Sequence, residues 1–116
     1  MRDMYYKLIG REVVPATRED WCTAREGDRH VAIDDVGPYW ISTVFLGLDH
    51  RFGDEGPPLV FETMVFKGSW SGIDMARYST YEEAEAGHAE MVAKYRGIIE
   101  NAGLHAAMRQ GDRHER

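Results

Sequence analysis

The sequence predicts an α+β domain: an antiparallel sheet of about four to five strands, packed by one long C-terminal helix, with a short helix near the N-terminus. Three observations carry this prediction. Two runs rich in β-branched and aromatic residues, Ile41–Leu48 and Leu59–Lys67, flank a polar stretch holding Gly53, Gly56, Pro57 and Pro58. Strand interiors avoid glycine and proline, so this spacing reads as a long antiparallel hairpin. From Tyr81 to Asn101, apolar residues recur at intervals of three and four behind a capping signal, which is helical periodicity. A length of 116 residues, with 43% hydrophobic and 11% aromatic content, suits one domain with a working core.

The hairpin belongs at the centre of the sheet because of its two faces. On its first strand Val44, Leu46 and Leu48 point one way and Ile41, Thr43 and Phe45 the other. On the second, Leu59, Phe61, Thr63 and Val65 oppose Val60, Glu62, Met64 and Phe66. Side chains alternate with period two, so both faces carry apolar groups, whereas a half-solvated strand shows one polar face. One face is expected to take the long helix. The other is expected to be covered by loops, by a second copy of the chain or by a partner protein. Glu62 is the polar exception and reads as a solvent-facing or edge carboxylate.

In chain order, Tyr5–Ile9 and Glu12–Val14, separated by Gly10-Arg11, read as a short hairpin or a strand with a bend, at an edge of the sheet, that Pro15 closes. Thr17 with Asp20 forms a capping signal for a helix of about Arg18 to Arg25, anchored by Trp21 and ended by Gly27. His30–Val36 alternates as a strand, and Gly37-Pro38 turns the chain into the central hairpin, making a meander. Gly68–Gly72 reads as loop with Trp70 tucked against the body, and Met75–Tyr78 as a brief edge strand. Thr80 and Glu83 form a capping box for the long helix, and Ser79 with Glu82 offers the same motif one residue earlier; the stripe is Tyr81, Ala84, His88, Met91, Tyr95, Ile98 and Ala102, widened by Val92 and Ile99. Gly103 is the expected stop. Residues 1–110 form the expected domain, and Gly111–Arg116 a charged mobile tail.

A formal net charge of −6 argues against direct nucleic-acid binding, which relies on Lys and Arg neutralising phosphates, and favours meeting protein surfaces. No apolar run approaches the roughly 18 residues of a membrane span, and the N-terminus lacks a signal-peptide core. Cys22 is the single cysteine, so neither a disulfide framework nor a cysteine zinc site is expected. The reading is cytoplasmic and cofactor-free.

Candidate chemistry is sparse. Glu85 and His88 stand one helical turn apart, a pairing used in carboxylate-bridged metal sites, but those sites need a second such pair. An imidazole within an apolar stripe is ordinarily a structural group bonded to a neighbouring backbone or carboxylate. No metal site is therefore expected, and His50, Glu62 and His88 form the set that an acid–base or metal-dependent enzyme would have to use. The stretch Asp49 to Pro58 lacks phosphate-loop and calcium-loop spacing. It offers Asp49, His50, Arg51, Asp54 and Glu55 as charges of mixed sign and Phe52 as an aromatic anchor, which makes it the expected binding loop.

The segments STVFLGLDHRFG, GPPLVFETMVF and RYSTYEEAEAGHAEMV resemble a group of small uncharacterised proteins of bacteriophages and prophages, over most of residues 5–95. The resemblance implies an intracellular bacterial setting during phage growth and carries over no catalytic residue. Small acidic phage proteins include inhibitors of host enzymes and defence systems, such as anti-CRISPR proteins, an analogy of class. The expected function is a protein-binding module acting on a host or phage protein, with a homodimer compatible with the pattern. The alternative is the small enzyme built on His50, Glu62 and His88.

Overall fold

The structure, a computed structural model, describes residues 4–24, 27–50 and 56–114, with side chains described at all of these except 71 and 104–114. Four strands, β3 (His30–Val36), β4 (Tyr39–Phe45), β5 (Phe61–Lys67) and β6 (Trp70–Tyr78), form an antiparallel meander in the order β3-β4-β5-β6. The N-terminal hairpin, β1 (Tyr6–Ile9) and β2 (Glu12–Pro15), is a separate two-stranded sheet rather than an edge of the main one. A single antiparallel bridge, Tyr5 to Leu48, ties it to the segment after β4. Helix α1 spans Arg18–Ala24 and helix α2 Tyr81–His114.

Register decides which side chains meet the helix. Asp34, Ile41, Val65 and Asp74 lie in one row across the four strands, and Ala32, Thr43, Thr63 and Ala76 in the next. Residues directly opposite share a face, and this face carries α2. Val36, Ile41 and Val65 pack with Met91, Val92 and Tyr95 of the helix. A second cluster joins Phe45, Val60, Phe61 and Ala84 to Tyr6 of the N-terminal hairpin. The helix begins as the capping box dictates: the Thr80 hydroxyl accepts from the Glu83 amide at 3.1 Å, and the Glu83 carboxylate accepts from the Thr80 amide at 3.1 Å. At α1, the Thr17 hydroxyl accepts from the Asp20 amide at 3.0 Å. Trp21 anchors that helix by donating its indole N–H to Leu46 O at 2.8 Å. Gly47, at φ 71°, lets the indole lie against its backbone where a Cβ would collide.

Several expectations are corrected. Val60 is not on the Glu62 face; its carbonyl accepts from Leu46 and its amide donates to Tyr78 O, and the chain turns its side chain into the core, fully buried. The helix stripe runs through Ala84, His88, Met91, Val92, Tyr95 and Ile99, while Ile98 is 41% exposed, because α2 rotates it past the last row of the sheet. β6 is nine residues long and takes in Trp70, which is 74% exposed instead of tucked in. Cys22 is exposed. Gly103 does not stop α2: it is not in the left-handed region, and the following Leu104, Ala106, Ala107 and Met108 favour helix enough to offset the roughly 1 kcal/mol a mid-helix glycine costs. Of the expected tail, 111–114 are therefore helical and 115–116 lie outside the described residues.

Candidate functional site

The residues read as chemistry-bearing are not brought together. Glu62 lies opposite Val44 and Arg77 in register, one residue out of step with the helix-facing Phe61 and Thr63. It therefore occupies the other face of the sheet, where its carboxylate accepts from Arg77 Nε at 3.1 Å. His88 is on the helix face. His50 follows β4 at the base of the connecting segment, its amide donating to Leu59 O at 3.1 Å. A site of His50, Glu62 and His88 is not assembled. Of the expected binding loop, Arg51, Phe52, Asp54 and Glu55 lie outside the described residues. Its base is well held: Asp49 donates its amide to Met4 O at 3.0 Å and accepts the Leu59 amide on its carboxylate at 3.2 Å.

His88 belongs to a polar chain that spans four elements. Its Nε2 meets the Asp34 carboxylate at 2.7 Å and its Nδ1 meets the Thr43 hydroxyl at 2.7 Å; the Thr43 hydroxyl in turn bonds that of Thr63. The carboxylate only accepts, so with the ring neutral Nε2–H donates to Asp34, Nδ1 accepts from Thr43, and Thr43 accepts from Thr63. Every polar atom is satisfied along this path. An Asp–His–hydroxyl order is also that of an activated nucleophile. Here Thr43 and Thr63 are fully buried, so no substrate atom reaches the hydroxyl. The arrangement pins the helix to the centre of the sheet. Beside it, a groove of 540 Å³ is lined by Asp34, Glu85, His88, Arg96 and Glu100, with the Asp34 oxygen already held by the imidazole. Among the described residues, no three His, Cys, Asp or Glu gather to hold a metal ion.

A second concavity, of 680 Å³, lies between the β1–β2 hairpin and the start of α2. Its Arg11 donates to both Glu85 oxygens, at 2.8 and 3.3 Å, and stacks over Tyr81. The helix amides behind it are capped by Thr80 and Glu83. Its cationic groups are thus already engaged.

The remaining surface of note is the sheet face away from α2. Ile33, Ser42, Met64 and Met75 form its middle row, and Asp35, Trp40 and Phe66 the row toward the β3–β4 turn. By alternation from Asp74 and Met75, Ile73 joins them. Ile33, Trp40, Ile73 and Met75 are each 40–47% exposed, large apolar side chains on one surface. Trp40 and Phe66 pack ring to ring, with centroids 4.5 Å apart. Among the described residues, the titratable groups in the rows of this face are Asp35 at one corner and, at the opposite end, the Glu62–Arg77 ion pair, in the row that ends on β3 at His30, which pairs with Asp28. Among the described residues no element packs on it. Alternation in the sequence signalled this face directly, whereas nothing in the sequence linked His88 to Asp34, Thr43 and Thr63, which are distant in the chain. Among the described residues no helix is long and apolar enough to cross a membrane. No protein-family model, curated protein or solved structure matches the chain.

Proposed function

We propose that this chain is a protein-binding module that works through the open face of its four-stranded sheet. The observation that supports it is the contiguous apolar surface of Ile33, Trp40, Met64, Phe66, Ile73 and Met75 opposite the helix. Sheets that are apolar on both sides are covered on both sides, and exposed apolar patches of this kind mark interaction sites. The occupant is a protein surface that is itself apolar and close to neutral. Among the described residues the face carries the internally paired Glu62–Arg77 couple, one further carboxylate at Asp35 and, at its margin, His30 paired with Asp28, so it offers little to a strongly charged ligand. The resemblance to phage and prophage proteins supports a phage origin and a host or phage protein as the ultimate target, with inhibitors of host defence as the class of activity.

The test is cross-linking of the tagged full chain in producing cells, with Met75→Glu as the face variant. The side chain at 75 is nearly half exposed, so the substitution places a charge on the surface without burying it. Wild type should cross-link into a defined species that Met75→Glu loses at unchanged thermal midpoint. Identical cross-linking of the two proteins would refute the reading.

A further inference from the structure

We infer that the surface seated on this face is a second copy of the same chain, packed sheet to sheet about a twofold axis. The inference rests on the protein-binding reading above and names its partner. The first argument is chemical match. An apolar, nearly neutral surface is required, and the chain presents such a surface on itself. Elsewhere it is acidic, with a formal net charge of −6, so two copies repel everywhere except where charge is absent.

The charges at the rim of the face are placed to pair with a second copy. Asp35 lies on the outer strand β3 in the row of Trp40 and Phe66, at the β3–β4 turn end. Arg77 lies on the opposite outer strand β6 in the row of Glu62 and Val44, at the far end. The two residues are diagonal corners of the face. A twofold axis lying between two stacked sheets, along the other diagonal, exchanges these corners. Each Asp35 then faces the partner's Arg77, whose Nε serves its own Glu62 and whose terminal nitrogens are left to meet the incoming carboxylate, twice per dimer, as a self-complementary interface requires. The same axis crosses the two sets of strands near a right angle, one of the two ways sheets pack face to face. Asp35 makes no ion pair among the described residues, so it is available for this one.

The third argument is size. Four strands about 4.8 Å apart and roughly six residues at about 3.3 Å each give about 400 Å² of plan area per copy. Side-chain relief raises the loss to about 500–600 Å² per copy, close to the roughly 1,000 Å² total that a specific interface needs.

The experiment is sedimentation equilibrium of the full chain from about 1 to 500 μM, with Met75→Glu and Asp35→Lys alongside and a thermal melt of each. Wild type should reach twice the 13.3 kDa chain mass. Met75→Glu should remain monomeric with an unchanged melt. Asp35→Lys should weaken the dimer about tenfold or more, since it sets like charges opposite each other. That outcome is diagnostic because the substitution makes the chain less acidic, which by itself would favour any unspecific association. A dimer that Met75→Glu leaves intact, or that Asp35→Lys tightens, overturns the inference. A monomeric wild type overturns it too. If that monomer still cross-links another protein through the face, the protein-binding reading stands; if it cross-links nothing, both fall.

Discussion

Replacing His88 by alanine should act on stability. The imidazole is 5% exposed and bonded at both nitrogens, to Thr43 within the sheet and to Asp34 at its edge. A neutral hydrogen bond contributes about 1 kcal/mol net, and one to a carboxylate about 1.5–3 kcal/mol. The Asp34 bond belongs near the bottom of that range, because the Asp34 side chain is 47% exposed and solvent takes up its vacated oxygen. Thr43 keeps its Thr63 partner, so no buried hydroxyl is orphaned. Adding a partly collapsed cavity brings the total to about 3 kcal/mol. For a chain of this size that corresponds to a fall of roughly 10–15 °C in Tm. Urea unfolding of His88→Ala and Asp34→Ala measures it, with Asp34→Ala expected to lose about 1 kcal/mol. Wild-type stability in His88→Ala would refute the account of the polar chain as the pin between α2 and the sheet. It would return His88 to the list of groups kept for chemistry.

Met91→Asp should cost several kcal/mol in the same assay, since Met91 is 8% exposed among Val36, Ile41 and Val65 and the new charge has no partner there. Gly87→Ala should destabilise by about 1–3 kcal/mol although alanine is the better helix former, because its Cβ would collide with the Tyr78 ring; a gain in Tm would show that Tyr78 yields freely. The Tyr95 phenol, buried and donating to Asp74 at 3.0 Å, is pushed up to about 12 first by desolvation and then by that bond. The folded state therefore holds this proton more tightly, so its contribution is complete below about pH 10 and is lost as pH rises through 12, a loss of about 3 kcal/mol that Tyr95→Phe should abolish. Asp74 works in the other direction: the hydrogen bond from Lys94 at 2.5 Å, joined by those from Tyr95 and the Met75 amide, holds its carboxyl below the usual range. Its contribution is present above the unfolded value of about 3.9 and fades as pH falls through the lower folded value, which acid titration of wild type against Asp74→Asn would show.

Where local chemistry decides structure, the sequence was readable. The central hairpin, the preceding strand with its Gly37-Pro38 turn, and both helix starts follow from alternation, turn residues and capping boxes, all of which act within a few residues. The errors have a common cause in tertiary context. Gly68–Gly72 reads as loop from composition, yet pairing with β5 draws Trp70 onward into β6. Gly103 reads as a stop, yet nothing there requires a left-handed residue, and the helix continues. Periodicity puts Ile98 in the stripe and Ile99 at its margin, yet the end of the sheet at Tyr39 and Gly37 selects Ile99. The polar chain was legible only in part. A histidine in an apolar stripe foretells a hydrogen-bonded imidazole, but its partners come from three strands. The inward-pointing Thr43 and Thr63, opposite each other in the central pair, were the available signal.

The open face is most directly tested by oxidative footprinting of the full chain, read residue by residue by mass spectrometry across a concentration series or with a bound partner. Trp40 and Met75 are 40% and 45% exposed on that face, and Trp70, on the helix side of β6, is 74% exposed and serves as the internal control. Trp40 and Met75 should become protected as the complex forms while Trp70 is oxidised at a constant rate. Protection of Trp70 with continued oxidation of Trp40 and Met75 would place the interface elsewhere and contradict the account.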